Sequence, residues 1–342
     1  MKKQLWALLL TLITHTLPAL SQRLTSTFSI QPRMRVIMDN DFSGDPDGLF
    51  ALTHLLLSPS VEVRAIVGSH LKARDGFDPS KTQAENACAK AREVVALLGV
   101  GKDVTVINGS NTAMPNDSTP VKSEGVNFII REALRTDTKL PLYMLCGAGL
   151  TEIASAVLTD PRIAAKLTLI WIGGAEYPDL AMPPPNYSSP EYNLNIDIAA
   201  ARVVFNRSAI PFWQVPRDAY RQALFPYSQL LLKVKPQGRI GLFLCNALES
   251  VMSRIMPFLN IGETYILGDS PLVLLTALQS SFEADPSSST YSTKMAPLIN
   301  DKGEYAINTK GRNIRVYTHL DIPLLFNDFL AKLELLNAAS HH

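Results

Sequence analysis

Four aspartates in one short turn constrain the fold and chemistry of this chain more than any other feature. The segment 34–57 reads MRVIMDNDFSGDPDGLFALTHLLL. Its apolar start is typical of a buried strand, and leucines recur at helical spacing in its second half. Between these parts the chain places Asp39, Asp41, Asp45 and Asp47. The pattern predicts a strand, an acidic turn and a helix.

The acidic turn indicates a cation site. Carboxylates this closely spaced repel one another at neutral pH, so a folded turn of this kind needs a neutralising ion. All-oxygen ligation suits Ca²⁺ or Mg²⁺. Open α/β sheets bind their ligands at the carboxyl ends of strands, and the helix that follows directs the positive end of its dipole there. We therefore expect a hard cation at this strand end.

Two other interpretations of the same turn explain less. The stretch from Asp39 to Gly44 is similar to the start of an EF-hand loop, but the twelfth position is Phe50, where that loop requires a bidentate glutamate. A solvated acidic turn with a helix cap explains one or two aspartates, since Asp favours turns and caps. It does not explain four aspartates between two apolar segments.

The first residues have the order of a secretory signal peptide. Lys2 and Lys3 precede an apolar core from Leu5 to about Ile13, and 19–21 has the small residues of a cleavage site. The core is shorter than the roughly 20 apolar residues of a membrane span, so an uncleaved anchor is the weaker alternative. We expect a signal peptide over 1–21, a secreted or periplasmic protein, and no membrane association after cleavage.

Composition excludes several classes of function. The formal net charge of +1 gives no electrostatic basis for nucleic-acid binding. Cys88, Cys146 and Cys245 are an odd number of cysteines without metal-ligand spacing, so a disulfide scaffold is not expected. With 46% hydrophobic residues and no repeat or long linker, residues 22–342 are expected to form a single α/β domain. The sequence leaves assembly into a homo-oligomer open.

Strand and helix patterns alternate along the rest of the chain. They predict a mainly parallel, Rossmann-like sheet with helices on both faces. After the first strand, further strands are expected at Val61–Val67, Val104–Ile107, Leu142–Cys146, Leu167–Ile172 and Ile210–Val215. Near the carboxyl end, Tyr305–Ile307 and Ile314–Val316 are predicted to pair as a β-hairpin, and Pro323–Leu336 to form the last helix.

The acidic turn resembles the amino-terminal signature of the inosine-uridine nucleoside hydrolases, which reads approximately D-x-D-x-x-x-D-D before an apolar helix. Asp39, Asp41 and Asp45 fall on its first three aspartates, and Asp47 falls on the fourth if Pro46 is an insertion. The resemblance implies that Asp41 is both a calcium ligand and the general base for water, and that Asp47 is a second ligand. Asp45 is implied to bind the sugar, and Asp39 to support the site from behind.

Two later segments extend the resemblance to the metal site. Thr151 opens a predicted helix at the position where the family's threonine supplies its backbone carbonyl to the calcium; a helix N-cap is the alternative role. Asp269 follows an apolar run and corresponds to the last calcium ligand. Gly268 stands where several members carry a histidine that protonates the leaving base. Asp41, Thr151 and Asp269 are expected at the carboxyl ends of three separate strands.

A third segment corresponds to the residues that grip the ribose hydroxyls in the family. Glu191 and Asn193 match that motif residue for residue, and Asn186 is the candidate for a further sugar-binding asparagine upstream. Without the resemblance, the same residues are typical of a helix start, where capping is the usual role. Candidates to replace the missing acid are Tyr187, Tyr192, His70 and Trp213.

The resemblance extends over residues 34 to about 335 and implies a nucleoside hydrolase fold. It implies a Ca²⁺-dependent enzyme that hydrolyses the N-glycosidic bond of a ribonucleoside, or of a related ribosyl compound, to ribose and free base. The alternatives are a non-catalytic, calcium-dependent sugar- or nucleoside-binding protein and a hydrolase of another glycoside. Asp41 favours the enzyme, because a binding protein requires no general base.

Overall fold

A twisted sheet of eight strands carries the acidic turn at its carboxyl edge. The computed structural model describes residues 28–99, 104–187, 190–280 and 287–340, so the predicted signal peptide lies outside the described residues. From Gln31 onward the chain forms one compact unit, and the short described stretch before it, 28–30, has no regular secondary structure.

The strands follow the predicted alternation. In chain order they are β1 Met34–Asn40, β2 Val61–Gly68, β3 Val106–Asn108, β4 Leu142–Cys146, β5 Leu167–Ile172, β6 Phe212–Val215, β7 Leu224–Pro226, β8 Thr264–Ile266, β9 Thr290–Met295, β10 Leu298–Ile299, β11 Tyr305–Ala306 and β12 Asn313–His319. The large sheet has the order β3-β2-β1-β4-β5-β6-β12-β9, and only β9 runs antiparallel to its neighbour. The mainly parallel sheet is therefore confirmed.

Helices cover both faces of this sheet. They are α1 Asp47–Leu56, α2 Gln83–Leu98, α3 Glu124–Ala133, α4 Thr151–Thr159, α5 Tyr192–Ile196, α6 Ile198–Arg202, α7 Arg217–Tyr220, α8 Tyr227–Gln229, α9 Gly238–Ile255, α10 Pro271–Leu274 and α11 Ile322–Ser340. A 3₁₀ turn at Pro161–Ala165 and π-helical turns at Val203–Arg207 and Leu230–Val234 complete the helical segments. Among the described residues, no helix is long and apolar enough to cross a bilayer.

Strand β1 lies at the centre of the fold because both of its faces are apolar. All seven of its residues are buried. Val36 and Met38 contribute to the core under α1, α2, α9 and α11, whereas Ile37 contributes to the core under α3, α4 and α6. A strand buried on both sides is typical of parallel sheets, and its polar end, Asp39 to Asp41, is thereby held at a fixed point of the edge.

The predicted carboxyl-terminal hairpin is wrong. Strand β11 pairs with β10 in a separate two-stranded sheet, and β12 instead enters the large sheet between β6 and β9. Ile314, Val316 and Tyr317 are buried, so β12 is an inner strand that needs neighbours on both sides. The antiparallel edge strand β9 supplies one of them.

Candidate active site

A cavity of about 450 Å³ opens at the carboxyl edge of the large sheet. The turns after β1, β4 and β5 reach it, together with the segment between β8 and α10. The structure brings six of the predicted site residues to this cavity: Asp41, Asp45, Asp47, Glu191, Asn193 and Asp269. They converge from three widely separated parts of the sequence.

Asp269 reaches the cavity by a different route from the predicted one. Strand β8, which precedes it, pairs only with β7 and lies outside the large sheet. Two contacts fix the residue instead: Asn40 donates from Nδ2 to Asp269 Oδ2 at 2.8 Å, and the Asp269 N–H donates to Asp47 Oδ2 at 3.1 Å. The acidic turn and the distant aspartate are thus joined directly.

Burial and mutual repulsion make this group of carboxyls hard to ionise. Burial raises the pKa of Asp41 and of Asp47 well above the usual range, and the Asp269 carboxylate adds to the effect at both. Burial raises the pKa of Asp45 to about 6, and burial with the Asp45 charge raises that of Asp269 to about 7. A divalent cation among these oxygens would reverse the penalty, because it stabilises the ionised forms.

The donor set fits a hard cation, although its side chains do not form a closed ligand cage. In the described part of the chain, no group of three or more His, Cys, Asp or Glu side chains has the arrangement of a formed metal site. Two buried oxygens at the end of β1, Asp39 Oδ2 and Asn40 Oδ1, have no hydrogen-bond partner among the described residues. Unpaired oxygens next to repelling carboxylates are the chemistry that an oxygen-seeking cation satisfies.

Asp39 lies behind the cavity and does not border it. It is fully buried, and Ser69 donates its hydroxyl to Asp39 Oδ1. Burial, with the Glu152 and Asp41 charges, raises the pKa of Asp39 well above its usual range. Asp39 therefore supports the turn from within the sheet.

The structure does not bring Thr151 to the cavity. Its hydroxyl donates to Asp197 Oδ2 at 2.7 Å and lies 2.9 Å from His70 Nε2. Thr151 is the first residue of α4 and is separated from the end of β4 by the turn from Gly147 to Leu150. Gly147, at the end of β4, borders the cavity in its place. Thr151 is not the N-cap of α4, because Leu150 occupies that position. The role of the Thr151 backbone carbonyl as a metal ligand stays a prediction.

Glu191 and Asn193 combine a structural role with a place in the cavity wall. Glu191 caps α5 by accepting from Leu194 N at 3.1 Å, and it also accepts from Gly174 N at 2.8 Å. Asn193 donates from Nδ2 to Gly147 O at 3.2 Å and to Ile172 O at 2.8 Å. The capping interpretation is therefore right for Glu191, and both residues border the cavity.

Asn186 is not brought to the cavity. It is exposed and has a φ of 63°, in the left-handed region that asparagine tolerates better than most residues. The proline run before it, 183–185, leads into this turn. The side chain therefore serves a turn here and borders no part of the site.

Apart from its carboxyl groups, much of the cavity wall is aromatic and apolar. This part is formed by Phe77, Tyr192, Tyr220, Leu224, Ile261 and Tyr265. Of the four candidates for a replacement acid, only Tyr192 borders the cavity. His70 is bound to Leu71 O and Thr151, Tyr187 stacks on Arg217, and Trp213 packs inside the sheet against Tyr143.

Sequence reasoning missed four residues of this site. Asn40 donates to Asp269, and the Gly147 carbonyl accepts from Asn193. Tyr265 donates to Asp45 Oδ2 at 2.7 Å, and Tyr220 donates to Glu191 Oε1 at 2.9 Å. Asn40 lies inside the acidic turn, and this position was a usable signal. The tyrosines are distant in sequence from the carboxylates they bind, so no local pattern identifies them.

A comparison with protein-family models identifies the family of this chain. The model for "Inosine-uridine preferring nucleoside hydrolase" matches residues 36–327. The chain belongs to this family. It is accordingly a glycosidase that acts on N-glycosyl nucleosides, with a small-molecule nucleoside substrate, in a family that depends on a metal ion. The comparison with curated protein sequences found no significant match.

Solved structures share the fold of this nucleoside hydrolase at low sequence identity. A purine-preferring ribonucleoside hydrolase from Gardnerella vaginalis has a TM-score of 0.69 at 20% identity, over 89% of this chain and 99% of the other. The plant nucleoside hydrolase PpNRh1 gives 0.68 at 18%, over 88% and 99%. An inosine-uridine preferring nucleoside hydrolase from Bacillus anthracis gives 0.61 at 17%, over 89% and 99%. These likenesses establish the nucleoside hydrolase fold.

Proposed function

We propose that this nucleoside hydrolase is a calcium-dependent N-ribohydrolase that releases ribose and free base from a ribonucleoside or a related ribosyl compound. The observation that carries the proposal is the convergence of Asp41, Asp47 and Asp269 with Glu191 and Asn193 around one cavity. Carboxylates suited to a cation and groups suited to ribose hydroxyls border the same space. Hydrolysis of a ribosyl bond needs both.

The metal is assigned to the carboxylate side of the cavity. Asp41, Asp47 and Asp269 would hold it, with Asn40 orienting Asp269. A bound calcium ion supplies a lowered pKa for a water molecule and a positive charge near the sugar hydroxyls. Calcium is the proposed ion because irregular carboxylate and carbonyl sets suit its flexible coordination, whereas magnesium demands near-ideal octahedral geometry.

The protein's own residues account for the remaining steps. Asp41 takes a proton from the attacking water while the oxygen of the water bonds to C1′ of the ribose. The C1′–N bond breaks, its electron pair passes to the base nitrogen, and solvent supplies the proton that makes the base neutral as Asp41 returns its proton to solvent. With the cation bound, the Asp41 carboxyl would stay ionised, as a general base requires. Glu191 and Asn193 hold the sugar hydroxyls so that C1′ faces the water. Asp45 is the further sugar-binding candidate.

Substitution of Asp41 tests this assignment. Asp41→Ala should abolish hydrolysis of ribonucleosides and of p-nitrophenyl riboside while the circular dichroism spectrum stays that of the wild type. Asp301→Ala is the matched control, because Asp301 is exposed and does not border the cavity, and it should retain full activity. If the wild type binds ribose and calcium but hydrolyses no ribosyl compound, the non-catalytic sugar-binding alternative is correct.

We also propose export of the protein, on the basis of the charge, apolar core and cleavage site of its first 21 residues. An exported nucleoside hydrolase would act on nucleosides outside the cytoplasm. Sequencing the amino terminus of the protein from its native host tests this proposal.

A further inference from the structure

We infer that Tyr220 is a positioning residue of the sugar side of the cavity: its hydroxyl fixes the Glu191 carboxylate so that one acceptor site is left for one sugar hydroxyl. This inference rests on the proposed ribohydrolase function and assigns a role to a residue that takes no part in the bond cleavage itself. It follows from the contacts of Glu191, from the anchoring of α7 and from the space beside Gly268.

Donors of the protein already occupy most of the Glu191 carboxylate. Glu191 is 1% exposed, and its Oε2 accepts from Gly174 N at 2.8 Å and from Leu194 N at 3.1 Å. Tyr220 donates its hydroxyl to Oε1 at 2.9 Å. An ionised carboxylate offers about four acceptor sites, shared equally by its oxygens, so one site remains on Oε1. Because Glu191 and Tyr220 both border the cavity, a hydroxyl of a bound sugar can use this site.

The phenol also favours the ionised form of Glu191, which is the form that accepts hydrogen bonds. Burial raises the pKa of Glu191, and the hydrogen bonds from Gly174, Leu194 and Tyr220 oppose that rise because they stabilise the carboxylate. Burial and the Glu191 charge raise the pKa of the Tyr220 phenol above its usual range, so its hydroxyl keeps its proton. Tyr220 therefore stays a donor and Glu191 is favoured as its acceptor.

Helix α7 is anchored to the turn that holds the other oxygen of Glu191. Arg217, the first residue of α7, donates from N to Gly174 O at 3.0 Å, and its Nε donates to Glu176 Oε1 at 2.6 Å. Both side chains of this ion pair are buried. Gly174 thus contacts α7 through its carbonyl and Glu191 through its N–H. The position of the Tyr220 hydroxyl is therefore fixed relative to Glu191.

The place of the Tyr220 ring depends on Gly268. A Cβ added at Gly268 would lie 3.3 Å from Tyr220 Cδ2 and 3.4 Å from Asp47 Oδ2. The first distance is shorter than carbon atoms normally pack, so a side chain at this position would push the ring aside. Glycine permits such a close approach because it has no Cβ. Gly268 therefore provides the room from which the Tyr220 hydroxyl reaches Glu191.

Deoxy substrates test the inference, because they remove the sugar hydroxyls one at a time. The kcat/KM values of p-nitrophenyl riboside and of its 2-deoxy, 3-deoxy and 5-deoxy analogues are measured at saturating calcium for the wild type, Tyr220→Phe and Glu191→Gln. Tyr220→Phe should lower kcat/KM for the riboside by about 10- to 100-fold, the value of a hydrogen bond to a charged group. With the one analogue that lacks the hydroxyl bound by Glu191, the loss should be less than about twofold, because the orientation of Glu191 no longer matters there. Glu191→Gln should show its smallest loss with the same analogue.

Three results would overturn the inference. An equal loss on all four substrates would show that Tyr220 has a general structural role. A Tyr220→Phe variant with wild-type kcat/KM on the riboside would show that its hydroxyl positions nothing. If different analogues escape the losses caused by Tyr220→Phe and Glu191→Gln, Tyr220 does not act through Glu191.

Tyr227→Phe is the matched control. Tyr227 donates to Glu249 Oε1 at 2.7 Å, which is the same kind of hydrogen bond, and it does not border the cavity. This variant should leave kcat/KM unchanged for all four substrates. A selective loss in the control would show that the pattern is not specific to Tyr220, and this would also overturn the inference.

Gly268→Ala provides a second measurement. Crowding of the Tyr220 ring should produce the same substrate selectivity as Tyr220→Phe, with a smaller loss. An equal loss on all four substrates would refute the role given to Gly268.

The wild type separates this inference from the proposed function. If it hydrolyses p-nitrophenyl riboside and the Tyr220→Phe loss is uniform, the positioning role is wrong and the ribohydrolase stands. If it hydrolyses neither these ribosides nor a ribonucleoside, the proposed function is wrong, and the inference that rests on it is overturned too.

Discussion

The Gly147→Ala substitution tests the site directly, because the structure shows which atoms an added Cβ would meet. A Cβ added there would lie 2.5 Å from Asn40 Nδ2 and 2.8 Å from Asp269 Cγ. Non-bonded heavy atoms do not approach a Cβ that closely, so Asn40 and Asp269 must move. Their 2.8 Å hydrogen bond cannot survive the shift unchanged. Gly147 has no left-handed φ, so the effect comes from crowding alone.

The expected loss of stability is about 2 kcal/mol, since an overpacked buried position typically costs about 1–3 kcal/mol. For a domain of about 310 residues, whose unfolding entropy is about 2.1 cal/mol/K per residue, this lowers the melting temperature by roughly 3 °C. Turnover should fall at the same time, because Asp269 is displaced from the cation side of the cavity. Differential scanning calorimetry and steady-state hydrolysis of p-nitrophenyl riboside measure the two effects.

Gly76→Ala is the matched control for this substitution. A Cβ at Gly76 would meet nothing within 4 Å, so its melting temperature should stay within about 1 °C of the wild type. A Gly147→Ala protein with wild-type melting temperature and turnover would refute the packing described for Asn40 and Asp269. A destabilised protein with full turnover would refute the role of Asp269.

Three further predictions concern the cation, the sugar and export. Chelation should lower the melting temperature and added Ca²⁺ restore it, and this difference should widen from pH 5 to pH 8. In the metal-free fold the pKa of Asp45 is raised to about 6 and that of Asp269 to about 7, so these carboxyls stay protonated at pH values where the unfolded chain has released its protons. The metal-free protein therefore loses stability as pH rises through these values. A melting-temperature difference that is constant with pH would contradict this. Asn193→Ala should raise KM, whereas Asn186→Ala should leave it unchanged; equal effects would refute the separation of the two asparagines. The exported protein should begin near Gln22, and an intact Met1 in the cytosol would exclude export.

The fold was largely predictable because its signals are local. Strand β1, the acidic turn and α1 occupy one continuous stretch, and the apolar composition of β4 and β5 fixes their bounds without reference to the rest of the chain. Strand β12 was mispaired because apolar alternation predicts a strand but does not name its neighbours. A hairpin and an inner strand of a parallel sheet have the same local pattern.

Site residues could be predicted from the sequence only where they belong to a recognisable motif. Asp41, Asp45 and Asp47 of the turn reach the cavity as expected, and so do Glu191 and Asn193, since each lies beside an element that the sequence defines. Thr151 does not, because the path of a short turn such as 147–150 decides whether a helix start faces the edge or passes it. Tyr220 and Tyr265 were unpredictable, since only the folded chain brings their hydroxyls to Glu191 and Asp45.

Asn193 links the edge of the large sheet to the wall of the cavity. Its single amide nitrogen bridges the carbonyls of Gly147 and Ile172, just past the last paired residues of β4 and β5. The carboxyl ends of β4 and β5 are thus joined by a side chain that also forms part of the cavity wall. A substitution at Asn193 alters this junction and the cavity wall together, so the sugar affinity that we propose for Asn193 and the cohesion of the sheet edge would change together.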